Sequence, residues 1–262
     1  MRRAILIFSA VFIAGCAGTG TSPTSSSSAI PVSEQMPTGI AEKSAKTHTE
    51  LGALYLEAGN FAVALEESRY AAATDPNYAP AYNLMGLVHL MLNETSQAKG
   101  AFERAIQLAP SDPQIANDYG WFLCVSGREQ EAFKYFETAS RNPLCRTPTR
   151  PYTNAGLCYL RIKDDKSAEM NFQRAVLLDG SNAQATYHLA SLSYKRGDYF
   201  NAKKLLGELH KLIEPNAESL WLGVRIERKI GDRQAEASYS CQLRRKFAGS
   251  PEHQALWQGK FE

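Results

Sequence analysis

The sequence contains no phosphate-cradling GxxxxGKS/T loop, no HExxH, no GxSxG and no CxxC. Without them the readable signatures of P-loop enzymes, zinc proteases, α/β-type serine hydrolases and thioredoxin-like redox centres are missing. Histidine is sparse, and His48, His89, His188, His210 and His253 are too scattered to suggest a catalytic or metal-ligating cluster. Charge of one sign is also lacking, with 29 Lys and Arg against 27 Asp and Glu, a formal +2. If Arg2 and Arg3 leave with a leader, the remainder is near neutral, which removes the electrostatic case for nucleic acid. No apolar run is long enough to cross a bilayer, since the longest, AILIFSAVFIA, has 11 residues where about 20 are needed. These absences point away from an enzyme, a cofactor carrier or a small-molecule binder, and toward a chain that works by surface.

What is present begins with an address. Arg2 and Arg3 precede the short apolar run, the layout of a secretory signal. The run ends in Ile13-Ala14-Gly15-Cys16, which resembles a bacterial lipobox and implies a signal peptide over 1–15 and lipidation at Cys16. Ala17 rather than Asp follows, which in the common sorting rule implies the outer membrane, with the chain facing the periplasm. Several acyl chains, at about 0.8 kcal/mol per buried methylene, anchor a protein without spanning. Residues 16–44 are rich in Ser, Thr, Gly and Pro and read as a flexible tether with a reach of roughly 25–30 Å.

From residue 45 the chain repeats itself every 34 residues. The clearest unit is 79–112, with Tyr82, Met85, Gly86, His89, Ala98, Phe102, Ala105 and Pro110 at positions 4, 7, 8, 11, 20, 24, 27 and 32. That is the tetratricopeptide pattern: small residues let two antiparallel helices approach, large ones fill between them, and proline ends the second. Units are expected at 45–78, 79–112, 113–148, 149–182, 183–216 and a degenerate 217–248, followed by a tail, 249–262. The expected fold is all-α, a right-handed tetratricopeptide superhelix whose first helices line the concave side. In repeat 1, Ser68 stands where an aromatic is usual, and in repeat 3 the NPLCRTP stretch interrupts the frame.

Most polar candidates read as structural. His89 occupies a tyrosine position and is expected in the core, while Asp164 and Asp165 fall in an inter-helix turn. Arg244-Arg245-Lys246, with Arg225, Arg228 and Lys229, reads as a solvated helix face. With Cys16 lipidated, four cysteines remain, at 124, 145, 158 and 241. Cys124 and Cys158 fall at positions 12 and 10 of adjacent first helices, which favours pairing them; Cys145 with Cys158, or free thiols, are the alternatives. The concave positions 2, 5, 9, 12 and 13 carry Ala53 and Leu56, then Leu87, Leu90 and Met91, then Trp121, an apolar stretch that reads as a partner groove. Farther along, Thr153, Arg161, Gln184, Tyr187, Tyr194 and Lys195 make the face polar and basic. Thr49 and Ala53 stand where a carboxylate clamp needs Lys and Asn, so that clamp is absent.

The lipobox, the Ser/Thr-rich tether and the repeats together, and above all residues 117–160 and ASYSCQLRRKF, resemble the PilF/PilW family of type IV pilus biogenesis and stability lipoproteins, the secretin pilotins. The resemblance covers nearly the whole mature chain. It implies a non-enzymatic outer-membrane lipoprotein that binds the pilus secretin subunit and promotes its localisation and oligomerisation, supporting pilus assembly, stability and twitching. The rival reading is a tetratricopeptide adaptor lipoprotein of β-barrel assembly or cell-wall synthesis, which could share everything but the 117–160 stretch.

Overall fold

The computed structural model describes residues 31–261 except 144 and 146. The expected signal peptide, the expected lipidation site Cys16 and the part of the expected tether before residue 31 lie outside the described residues. Six helical hairpins follow one another: α1 (Ile40–Glu57) with α2 (Phe61–Thr74), α3 (Ala79–Met91) with α4 (Thr95–Leu108), and α5 (Pro113–Val125) with α6 (Glu129–Arg141). They continue as α7 (Thr149–Arg161) with α8 (Asp165–Leu178), α9 (Ala183–Lys195) with α10 (Tyr199–Leu212), and α11 (Ala217–Ile230) with α12 (Arg233–Lys246). A last short helix, α13 (Pro251–Trp257), packs on the sixth pair. No strand occurs among the described residues. Each helix packs on its hairpin partner and on the next pair, and α1, α3, α5 and α7 also touch in sequence, the nearest-neighbour arrangement of a solenoid.

In repeats 2, 3 and 4 the spacing within the hairpin is set by a glycine against a ring, whereas repeat 5 has Ala190 and Leu206 at those positions. Gly86, Gly120 and Gly156 face Phe102, Phe136 and Phe172, and a Cβ on the glycines would lie 2.7, 2.9 and 2.6 Å from ring atoms. Repeat 1 solves the same problem differently: with Ser68 buried at the ring position, Leu84 of α3 reaches back to within 2.8 Å of where a Gly52 Cβ would stand. Repeat 6 keeps the pair one position earlier, as Gly223 against Tyr239, so the unit that reads as degenerate retains the defining contact.

The turn between the two helices of each repeat needs one left-handed residue, at position 15. Glycine supplies it at 59, 127, 197 and 231, whereas Asn93 (φ 59°) and Lys163 (φ 61°) adopt it in repeats 2 and 4. The next position caps the second helix: Asn60, Asp164, Asp198 and Asp232 each accept a backbone N–H from three residues on, satisfying an orphan donor. Glu94 takes that position in repeat 2 without capping. It instead meets His89 Nδ1 at 2.6 Å, which accounts for a nearly buried histidine in the core.

A disulfide joins Cys124 to Cys158 across repeats 3 and 4, with Cα atoms 5.9 Å apart. A closed loop of 34 residues contributes about 2–4 kcal/mol in the chain-entropy view. Cys145 is half-buried and Cys241 exposed, both free.

The N-terminal boundary differs from the reading of 16–44 as tether. Helix α1 starts at Ile40, and before it Pro31 is buried. Val32 packs with Ala79, Ile115 and Tyr82, and the Gln35 carbonyl accepts from Lys46 Nζ at 3.2 Å. Apolar Pro31 and Val32 find a surface at the edge of repeats 2 and 3, so this end of the segment is docked.

Two substitutions test the packing. Gly156→Ala pushes a methyl into a Phe172 ring that is 0% exposed and should lower the unfolding free energy by about 1–3 kcal/mol. Lys163→Gly relieves left-handed strain worth roughly 1–2 kcal/mol against an entropy loss of about half that, and should stabilise by about 0.5–1 kcal/mol. Urea denaturation followed by circular dichroism reads both.

Candidate peptide-binding groove

Leu87, Leu90 and Met91 of α3 and Trp121 of α5 converge on one open groove of about 320 Å³, whose other wall includes Arg150, Thr153 and Asn154 of α7 and Gln184 of α9. The apolar side is anchored from behind, since Leu87, Leu90 and Trp121 also rest on the core cluster of Phe102, Phe122 and Leu123. Met91 is 51% exposed, a large flexible apolar side chain left to solvent at the rim.

Ala53 and Leu56 do not join this lining. They are half-buried against Ala64, Leu84 and Val88, because Leu84 fills the space that Ser68 leaves in the first hairpin and α1 packs onto it. The groove therefore starts at repeat 2.

Beneath it lies a polar floor that periodicity alone did not reveal. Asp118 is 2% exposed; its Oδ2 accepts from Asn83 Nδ2 at 2.9 Å, and its Oδ1 from Asn117 Nδ2 at 2.9 Å and Arg150 Nη2 at 3.1 Å. The network extends as Asn154 donates to Asn117 Oδ1 at 2.9 Å, while nearby Asn182 donates to Thr153 Oγ1 at 3.0 Å. Burial pushes the Asp118 carboxyl above its usual range, opposed by the Arg150 charge and by the two asparagine hydrogen bonds. Asn83 Oδ1 is buried with no hydrogen-bond partner. The result is a rigid acidic floor neutralised by one half-exposed arginine whose charge faces the groove.

At the far end of the concave side, Lys195 is exposed among the polar and basic residues expected there. Lys195 pairs with Asp165, and Arg161 with Glu129 at 3.9 Å. The chain's own tail covers the rest: the Phe261 ring lies 5.5 Å from that of Trp221, Arg228 Cζ sits 3.7 Å from the Phe261 centroid, and the Tyr194 hydroxyl donates to the Phe261 carbonyl at 3.4 Å. In the basic stretch, Lys246 pairs with Glu214 and Arg228 with Glu236, each at 2.8 Å.

Among the described residues no group of three or more His, Cys, Asp or Glu is placed to hold a metal, and none of the helices is long and apolar enough to cross a membrane. His188 stacks on Phe172 at 5.0 Å, and burial lowers its pKa, which marks it as packing. An apolar wall facing a wall of amides, a hydroxyl and one guanidinium suits recognition of a polypeptide.

Arg150→Met tests the floor. A buried acceptor deprived of its charged partner should cost about 1–3 kcal/mol at neutral pH. Because the folded-state pKa of Asp118 is raised, ionising it opposes folding, and its contribution to stability improves as pH falls through that pKa. Removing the opposing cation raises the pKa further, so the deficit against the parent should shrink as pH is lowered from neutral toward the ordinary carboxylate range in thermal melts; a pH-independent deficit would contradict the network.

Two tetratricopeptide repeat family models match the sequence, one over residues 49–113 and 83–143, the other over residues 149–182. The type IV pilus assembly protein PilF of Pseudomonas aeruginosa is 28% identical over 257 residues, 97% of this chain and 97% of that protein. A solved structure of P. aeruginosa PilF aligns with a TM-score of 0.75 at 28% identity, covering 84% of this chain and 99% of that one. The crystal structure of PilW, described as a widely conserved type IV pilus biogenesis factor, aligns with a TM-score of 0.74 at 26% identity, covering 81% and 98%. Neither the family models nor these likenesses indicate an enzymatic activity. With the repeats matched in sequence and built as stacked hairpins, the chain has the tetratricopeptide-repeat fold and is similar over nearly its full length to the type IV pilus protein PilF.

Proposed function

We propose that this chain is a non-enzymatic scaffold of type IV pilus biogenesis, lipidated at Cys16 and held at the periplasmic side of the outer membrane. There it binds the pilus secretin subunit and promotes its localisation and oligomerisation, and through that supports pilus assembly and stability. The groove of Leu87, Leu90, Met91 and Trp121 carries the reading on the physical side. It is the open concave stretch that combines exposed apolar atoms with hydrogen-bonding groups on the facing wall, as needed to hold an extended or helical segment. End-to-end similarity to PilF, and a matching fold in PilF and PilW, supports the pilus as the setting. An adaptor in β-barrel assembly or cell-wall synthesis could have the same repeats, and no observation in this molecule favours it.

A clean deletion separates the two: loss of secretin multimers with normal growth supports the proposal, and general envelope failure contradicts it. At the residue level, Leu90→Glu combined with Trp121→Glu places two charges where a partner would bury apolar surface. Since Leu90 and Trp121 are only half-buried, the fold should survive by circular dichroism. Affinity for the purified secretin subunit should fall at least a hundredfold, about 2.7 kcal/mol, as read by biolayer interferometry; unaltered affinity refutes the groove.

A further inference from the structure

The concave side of repeats 5 and 6 already holds a guest. Tyr194 of α9 and Trp221, Arg225 and Arg228 of α11 form a box. Arg225 Cζ lies 4.9 Å from the Tyr194 centroid and 5.8 Å from that of Trp221, while Arg228 lies 3.7 Å from the centroid of Phe261. A guanidinium over an aromatic face is an electrostatic attraction that selects rings over aliphatic groups. The guest is held mainly by its ring, which packs against the cluster of Leu220, Trp221 and Val224. Residues 258–260 are exposed, Gly259 sits at φ 66°, and the carbonyl of Phe261 receives one hydrogen bond, at 3.4 Å. The Nε–H of Arg225 is buried and finds no acceptor, so the tail leaves part of the box unmet.

We propose that Tyr194, Trp221, Arg225 and Arg228 form a second binding site, for an aromatic side chain on an extended, acidic segment of a partner polypeptide, and that the chain's own Phe261 occupies it until displaced. The aromatic requirement follows from the occupant and from the stacked guanidiniums. The acidic preference follows from charge, because Lys229 and Lys260 border the same hollow beside Arg228. Tethering helps to keep the contact closed: a segment linked in cis competes at an effective concentration of about millimolar, so a partner must bring further contacts or a higher local concentration to open it. This site lies apart from the Leu90 and Trp121 groove and does not rest on the secretin reading.

The test titrates the full chain with the synthetic peptide Gln-Gly-Glu-Phe-Glu and follows the Trp221 indole N–H by NMR, with Gln-Gly-Glu-Ala-Glu as control. Phe261→Ala should bind the phenylalanine peptide at least tenfold more tightly than the parent, and should ignore the alanine peptide. Adding Arg228→Gln to Phe261→Ala should abolish the gain. Should Phe261→Ala reduce the folded fraction, Phe261→Leu, which keeps apolar bulk but loses the ring over Arg228, is titrated in its place with the same expectations. Equal affinity in parent and variant, equal response to both peptides, or tail-exchanged dimers in sedimentation would overturn the proposal. Leu90→Glu with Trp121→Glu should leave this titration unchanged, which keeps the two sites distinguishable.

Discussion

Everything in this solenoid depends on how closely two helices of a hairpin can approach, and in four of the six hairpins that distance is set where a glycine meets an aromatic ring. With Gly86, Gly120 and Gly156 against Phe102, Phe136 and Phe172, the ring lies flat on bare backbone, and no side chain at the contact can hold the helices farther apart. Repeating that contact every 34 residues or so turns a local packing rule into a stack of equivalent hairpins, each contacting mainly its neighbours. The concave surface is a consequence: first helices held at fixed spacing deliver the same positions to the same side. Core and recognition thus use opposite faces of one helix, as in α3, where Gly86 is buried and Met91 stands in solvent.

That surface is divided by what lies behind it. At repeats 2 and 3 the aromatic cluster supports an apolar wall. Next to it, the Asp118, Asn117 and Arg150 network gives a stiff polar wall in which one carboxylate is enclosed and one guanidinium is partly presented. A buried charge that is fully hydrogen-bonded fixes geometry more than it adds stability, and here it ties α3, α5 and α7 together beneath the groove, beside the covalent tie of Cys124 to Cys158. The groove is thus braced by a polar network and by a covalent tie at once. At repeats 5 and 6 the surface is covered by Phe261, leaving the groove open at one end and closed at the other.

The repeats were legible in the sequence because their signature residues recur at fixed spacing and each has one physical job. Tyr82, Gly86, Ala98 and Phe102 announce a hairpin without any structure, and the nearness of Cys124 to Cys158 follows from their neighbouring positions in adjacent first helices. What was not legible depended on long-range choices. The Gly223 and Tyr239 pair was hidden because both partners move one position while the turn at Gly231 stays in place. Ala53 and Leu56 were read as groove lining because nothing local says that Leu84 will fill the hole above Ser68. The docking of Val32 and of Phe261 leaves no periodic trace, since each lies in a short apolar patch within an otherwise polar segment. Asp118 and Asn83 showed no motif; only a carboxylate on a face otherwise destined for burial could have drawn notice.

The central claim is that the open half of the concave face, and not the convex side, receives the secretin. Its most direct test is photo-crosslinking in living cells, with a benzoylphenylalanine placed at Met91 on the groove rim or at Met170, exposed on α8 of the outer layer. The account predicts a crosslinked secretin adduct at position 91 and none at 170. Adducts of equal yield at both positions, or an adduct at 170 alone, would contradict it.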